Sequence, residues 1–181
     1  LTAYLWGFKT EDISLSLQTF IPGAAQTPGR MNIFEFKNFK VLIDFAHNPA
    51  GYLAVEDFLQ NVEASKKIGI ISGVGDRRDQ DIRDCATIAA RMFDHVIIRN
   101  EKHLRGRTEE NINGLILEGF EASGKQITYE IIPKETEAIK HAIKNGEDGS
   151  FIVALSDVVT NAIQVVQGYL DLENEEALQN Q

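Results

Sequence analysis

The period of hydrophobic and polar positions changes repeatedly along the chain, and each change marks an element. Leu1 to Gly7 and Thr10 to Phe20 have helical spacing, and the second run opens with Thr10 as N-cap before Glu11 and Asp12. Ile21 to Arg30 (IPGAAQTPGR) holds two prolines and two glycines, which predicts a linker entering a main domain. From Met31 the pattern turns strand-like: Met31 to Phe36 and Lys40 to Phe45, separated by Lys37 to Phe39, predict an antiparallel pair joined by a short turn. Pro49 to Val62 then reads as a helix, with Asn48 as its N-cap and Pro49 at the first helical position.

Strands and helices alternate from there on. Ile68 to Ser72 is an apolar strand, and Asp79 to Phe93 a helix with Ile82, Cys85, Ala86, Ile88, Ala89 and Met92 on one face. His95 to Arg99 is a strand, and Thr108 to Ala122 a helix that opens on Thr108, Glu109 and Glu110 and closes at Gly124. Ile127 to Ile132 and Phe151 to Leu155 are strands; Lys134 to Lys144 and Asp157 to Leu170 are helices, followed by an acidic, frayed tail from Asp171. Such alternation with nearly continuous apolar strands predicts an α/β fold: a Rossmann-like three-layer α/β/α domain whose six-stranded sheet is mixed, the first strand antiparallel. The expected organisation is a separate leading segment (1–30), a main domain (31–171) and a flexible tail (172–181).

Composition narrows the class. The chain has 181 residues, 43% hydrophobic and 25% charged, enough for one domain with a substantial core. Its single cysteine, Cys85, forms no intrachain bridge, which suits a reducing cytoplasm. No signal peptide or lipidation signal is visible, and the apolar runs are far shorter than the roughly 20 residues that span a bilayer. A net charge of −9 argues against a nucleic-acid binder, whose affinity needs many cationic contacts. The charge is uneven, however. Lys66 to Arg107 holds ten Lys/Arg against six acids, +4, so the remainder carries −13.

Chemistry is expected at the carboxyl ends of the strands, where open α/β sheets bind ligands. AHNP (Ala46 to Pro49) follows one strand, just after Asp44 near its end, GVGDRRD (Gly73 to Asp79) the next, RNEKHLRGR (Arg99 to Arg107) a third, and Ser156-Asp157 the last. His47 and Asn48 lie at a helix N-terminus, which favours an anion such as phosphate; equally, Asn48 is a simple cap and His47 a surface residue. Gly73 and Gly75 allow close backbone approach, and Asp76, Arg77, Arg78 and Asp79 suit charged ligands; the plain alternative is a polar turn ending in Asp79 as N-cap. Arg99, Arg105 and Arg107 suit carboxylate or phosphate and Glu101 a cation, against the alternative of an exposed charged loop.

Several familiar signatures are missing. There is no GxxxxGK[ST] phosphate loop, no GxGxxG in the first strand-helix unit and no GxSxG elbow. His47, His95, His103 and His141 lack zinc-ligand spacing, so no metal site is expected. Cys85 lies on an apolar helix face and reads as core.

TPGRMN (Thr27 to Asn32) followed by VLIDFAHNPAG (Val41 to Gly51) resembles the C-terminal domain of Mur ligase-like amide ligases. With GDRRDQDI (Gly75 to Ile82), MFDHVIIRNEKHLRGR (Met92 to Arg107) and Ser156-Asp157, the pattern is similar to the cyanophycin synthetase family over nearly the whole chain. By the same resemblance, AYLWGF and EDISLSLQTF look like the end of a central ATP-binding domain, with Ile21 to Arg30 as linker.

This resemblance implies an ATP-dependent acid–amino-acid ligase that adds arginine to the β-carboxylate of aspartate on a polyaspartate backbone through an acyl phosphate. ATP and magnesium would be bound mainly by the central domain upstream, so residues 1–181 alone would be inactive. Position by position, Arg30, Asp44, His47 and Asn48 would lie at the nucleotide. Gly75, Asp76, Arg77, Arg78, Asp79, Arg99, Asn100, Glu101, Arg105, Arg107 and Asp157 would line the amino-acid and polymer side. Expected partners are the upstream domains of the same polypeptide, arginine and the aspartate-arginine polymer, with oligomerisation of the full-length protein compatible with the reading. The DNPR and GKGHE segments of muramyl ligases are replaced by RNEKHLRGR and the ALSD region, and Phe45 stands where folylpolyglutamate synthetases show Gly. A family member acting on a muramyl peptide or folate, and a non-catalytic nucleotide- or anion-binding domain, remain open.

Overall fold

KIGII, HVII and FIVAL carry branched apolar side chains at successive positions, so strands built from them are stable only in a sheet covered on both faces. A computed structural model describes residues 1–19, 23–101 and 104–179. Its elements are α1 (Thr2–Leu5), α2 (Thr10–Gln18), β1 (Asn32–Glu35), β2 (Lys40–Asp44), α3 (Pro49–Gln60), β3 (Lys67–Ile71), α4 (Asp79–Met92), β4 (His95–Ile98), α5 (Glu109–Ala122), β5 (Thr128–Ile131), α6 (Glu135–Lys144), β6 (Phe151–Leu155) and α7 (Val159–Gln179). The sheet order is β1-β2-β6-β3-β4-β5; β1 is antiparallel to β2 and the other neighbours pair in parallel. This is the expected α/β sheet with its antiparallel first strand.

Period-two alternation splits the core between the two faces. Leu42, Val153, Val96 and Ile98 pack with Tyr52, Ile82 and Ile116 under α3, α4 and α5, while Val41, Ile43, Ile70 and Ile97 pack with Ile139, Ala162 and Val166 under α6 and α7. Because β6 returns between β2 and β3, the loops after β2, β6, β3 and β4 become neighbours along one edge. Backbone bonds hold that edge level beyond the strands: Ser156 N–H donates to the Asp44 carbonyl at 2.8 Å, and Arg99 N–H to the Ile71 carbonyl at 2.8 Å.

The helix starts follow the sequence signals in part. Asn48 caps α3 by accepting the Gly51 N–H at 2.9 Å, with Pro49 in the first turn, and Thr108 caps α5 by accepting from Asn111 N–H at 3.1 Å. Thr10 and Asp79, expected as caps, are instead the first residues of α2 and α4, behind Lys9 and Arg78. At α4 the Asp79 carboxylate pairs with Arg107, so it does not turn back to its own helix N–H groups.

Two further expectations are corrected. Helix α7 starts at Val159 and continues to Gln179, well past Leu170, so the segment after Asp171 is not a frayed tail over those residues. Leu, Glu, Ala and Gln are good helix formers, and Glu173 accepts the Lys37 N–H at 2.8 Å, anchoring that turn of α7 to the β1–β2 hairpin. β5 is an edge strand with Tyr129 and Ile131 exposed, unlike the covered strands the pattern predicts. No residue of α1 or α2 is buried. Phe20, Ile21, Pro22, Lys102, His103, Asn180 and Gln181, on which parts of the predicted linker, third loop and tail fall, lie outside the described residues. Among those described, no helix is long and apolar enough to cross a membrane.

Candidate functional site

The segment TPGRMN is a tight knot just before β1. Gly29 and Met31 both have left-handed φ angles, 72° and 50°, a costly conformation for methionine. Side chains stabilise it. Asn32 Oδ1 accepts the Gly29 N–H at 2.6 Å, and its Nδ2 donates to the carbonyls of Thr27 (3.0 Å) and Arg30 (3.3 Å). Asp44 accepts from Met31 N–H at 2.9 Å through Oδ2 and from Ala46 N–H at 2.8 Å through Oδ1. The Phe45 N–H donates to the Gly29 carbonyl at 3.0 Å, which ties the knot to the AHNP loop.

These bonds present Arg30 at the exposed tip. Its guanidinium carbon lies 5.5 Å from the centre of the Phe45 ring, a cation–π contact, and the Phe45 and His47 rings are 4.7 Å apart at 58°. Arg30, Phe45 and His47 therefore form a continuous ridge. The His47 Nδ1 is 2.9 Å from the Phe45 carbonyl. A carbonyl only accepts, so Nδ1 carries the proton, and in the neutral ring Nε2 is left as an acceptor. That nitrogen makes no hydrogen bond among the described residues.

The neighbouring β6 and β4 loops hold a buried charge cluster. Arg99 is 2% exposed; its Nη2 donates to the Leu155 carbonyl at 2.9 Å, Nη1 lies 2.7 Å from Asp157 Oδ1, and Nε lies 3.4 Å from Glu135 Oε1. Burying a guanidinium is tolerable only with such partners. The charges are close, yet Arg99 Nε, Glu135 Oε1 and Asp157 Oδ1 lack hydrogen-bond alignment, and the buried Ser156 hydroxyl has no partner among the described residues. Beside them, burial pushes the Glu101 carboxyl above the usual carboxylate range, and the Asp157 charge adds to the shift; the Gly75 N–H and Arg99 oppose it.

The GDRRD loop is fastened by Arg107. This side chain donates to the carbonyls of Gly75 (3.0 Å) and Arg77 (2.9 Å) and to Asn111 Oδ1 (3.0 Å), and pairs with Asp79 at 2.7 Å. Gly75 is required there, because a Cβ would collide with the Leu104 carbonyl. Arg78 is engaged by Asp81 through two bonds of 3.0 and 2.7 Å and is otherwise exposed. Arg77 Nε is buried without a hydrogen-bond partner among the described residues, 4.0 Å from Asp76.

The structure thus sorts the predicted residues. His47, Arg99, Glu101 and Asp157 line one small cavity with Tyr52, Ser72 and Ser156, while Arg77 lines a second cavity that shares His47, Tyr52 and Ser72. Each has room for about one water molecule. Arg107 and Asp79 are turned to each other, and Asn48 is occupied as a cap. Asp44 spends both oxygens on backbone N–H groups. Asn100 donates its N–H to the Pro133 carbonyl and leaves Nδ2 buried without a partner among the described residues. Asp76 and Arg105 are exposed, and Arg105 has a left-handed φ of 52°. Tyr52 and Glu135 were not legible as site residues: Tyr52 sits on the apolar stripe of α3 and Glu135 in an ordinary acidic first turn. Among the described residues, no group of three His, Cys, Asp or Glu side chains is placed to hold a metal ion.

Comparison with known proteins gives this edge a context. The chain is 43% identical over 169 residues to the cyanophycin synthetase of Geminocystis herdmanii, and 39% identical over 166 residues to that of Crocosphaera subtropica. These alignments cover 93% and 92% of the chain but only 19% of each relative, so the chain spans about a fifth of their length. A solved UDP-N-acetylmuramoyl-L-alanyl-D-glutamate--2,6-diaminopimelate ligase superposes with a TM-score of 0.65 at 20% identity, over 93% of this chain and 36% of that one, a likeness of fold. The model of the family described as Mur ligase, glutamate ligase domain, matches residues 29–158, from the Gly29 knot to the turn after β6. The chain belongs to that family, as a Mur ligase C-terminal domain.

Proposed function

We propose that this chain is the C-terminal domain of an ATP-dependent amide ligase that adds arginine to the β-carboxylate of aspartate on a polyaspartate backbone. The carboxylate is activated as an acyl phosphate, the amine attacks it, and phosphate leaves. Residues 1–30 are the end of a central ATP-binding domain and its linker, and the domain proper begins at Met31. ATP with magnesium is held mainly by that upstream domain, in the cytoplasm, and residues 1–181 alone do not turn over ATP.

One observation carries this reading: a cationic ridge and an acidic cavity stand side by side on the carboxyl edge of the sheet. Arg30, stacked on Phe45, suits nucleotide phosphate or ribose across a domain cleft, with Asp44, His47 and Asn48 beside it. Glu101 and Asp157 suit the cationic groups of an incoming amino acid, with Asp76, Arg77, Arg78 and Asp79 on the loop beside them. Gly75, Asn100, Arg105 and Arg107 shape and border that side. The similarity to cyanophycin synthetases supports arginine and the aspartate-arginine polymer as substrates.

The test is ADP release by the complete polypeptide that contains this domain, given ATP, magnesium and an aspartate-terminated primer. Arginine, lysine and a muramyl-peptide acceptor pair are supplied separately, with Arg30→Ala alongside. Arginine-dependent turnover that collapses in Arg30→Ala is the expected result. Turnover only with the muramyl pair moves the protein to peptidoglycan precursors, and none from a folded full-length protein makes it a binding domain.

A further inference from the structure

An amino acid reaches a ligase with its α-amino group protonated, and the nitrogen has no pair to offer a carbonyl until that proton leaves. The groups along the carboxyl edge differ in their ability to take it. Asp44 holds two backbone N–H groups, Arg77 and Arg99 are cations, and Asp157 lies 2.7 Å from Arg99. Glu101 receives the Gly75 N–H and faces the Asp157 charge.

His47 stands apart from these. Its Nδ1–H is committed to the Phe45 carbonyl at 2.9 Å, which fixes the ring and its tautomer, and Nε2 is an acceptor with no partner among the described residues. The ring borders both cavities. On one side it meets Arg99, Glu101 and Asp157 from the β4 and β6 loops; on the other it meets Arg77, Asp81 and Cys85, with Tyr52 of α3 common to both. Asp81, Glu101 and Asp157 around the ring, set against the cations Arg77 and Arg99, suit the ammonium group of an amino acid at the mouth of these cavities. Two ring nitrogens with opposed roles, one anchored to backbone and one bare, are what a positioned base requires.

We propose that His47 Nε2 accepts the proton of the incoming α-ammonium group, which makes His47 a catalytic base between the nucleotide and amino-acid sides; this rests on the ligase reading above. The N–H bond breaks with its electron pair left on nitrogen, and the proton bonds to Nε2. That pair forms the C–N bond at the acyl carbon. The C–O bond to phosphate then breaks and its pair leaves with the phosphate, which also takes the second proton from the nitrogen. The imidazolium returns its proton to solvent.

The experiment uses the complete polypeptide with His47→Asn, whose amide can still donate to the Phe45 carbonyl but supplies no base. Acyl phosphate is trapped by borohydride reduction, amide formation is followed across pH, and hydroxylamine, unprotonated at neutral pH, replaces the amino acid. Expected are a ratio of amide formed to acyl phosphate trapped that is down roughly 100- to 10,000-fold at neutral pH and recovers as pH rises, and a near-normal ratio of hydroxamate to acyl phosphate. Loss of acyl phosphate with a raised KM for ATP overturns the assignment in favour of a nucleotide contact, and unimpaired amide formation overturns it outright. If thermal unfolding shows that His47→Asn is not folded, His47→Gln is read by the same criteria. A wild-type polypeptide that makes no acyl phosphate with any acceptor overturns the ligase reading, and this assignment with it; failure of the variant to behave as expected in an active enzyme overturns the assignment alone.

Discussion

Asp44 Oδ2 accepts the N–H of Met31 at 2.9 Å, and Met31 is one of two described non-glycine residues with a left-handed φ. The last residue of β2 thereby holds the turn that aims Arg30, and the same carboxylate shapes the AHNP loop through Ala46. Asp44→Ala removes both acceptors and leaves the N–H groups of Met31, in its left-handed conformation, and of Ala46 unpaired. It is expected to cost about 3 kcal/mol, read as a lower denaturation midpoint with an unchanged slope.

Glu101 gives a pH-dependent signature. Burial and the Asp157 charge raise its carboxyl in the folded state, so the folded chain binds more protons than the unfolded one between the two values, and stability falls as pH rises through that window. Glu101→Gln should therefore unfold at a higher temperature than wild type at neutral pH. The gap should close as pH falls below the ordinary carboxylate range, measured by thermal unfolding at several pH values.

Arg107 ties two loops together through three hydrogen bonds and an ion pair, so lysine, with a single ammonium, is no conservative substitute. Arg107→Lys is expected to lose about 1–2 kcal/mol and to speed amide hydrogen exchange around Gly75 to Arg77. Exchange in β2 and β6 should stay unchanged.

Cys85 lies on the buried face of α4, where burial pushes its thiol up to about 12, and the nearby Asp81 and Asp84 charges add to the shift. It should react with a disulfide reagent only slowly in the native protein at mildly alkaline pH, and within seconds to minutes once denaturant is added. Fast native labelling would mean that this helix opens readily.

Legibility varied with how local the signal was. Asn48-Pro49 and Thr108 announced their helices because a capping side chain bonds within its own next turn, and the antiparallel first strand followed from a short hairpin connection. Thr10 and Asp79 misled because many residues can stand near a helix start, and at α4 an arginine 28 positions away claims the aspartate. The acidic end of α7 read as tail because its composition is polar, whereas its helix propensity and the Glu173 contact to Lys37 carry the helix onward.

The sequence alone determined the alternation of strands and helices, the two-faced burial of the strands and the four polar loops at their carboxyl ends, since each depends on periodicity and neighbouring residues. It also placed the chain in its family through the motifs from Thr27 to Asp157. Only the tertiary structure decided which loop residues are free to act. Arg107 is spent on fastening Gly75 and Arg77, Asp44 on Met31 and Ala46, and Arg99 on Leu155 and Asp157, while His47 keeps one bare nitrogen. The reason is physical: a charged side chain is available to a ligand only after the protein's own buried polar groups have been satisfied, and those partners lie far apart in the chain.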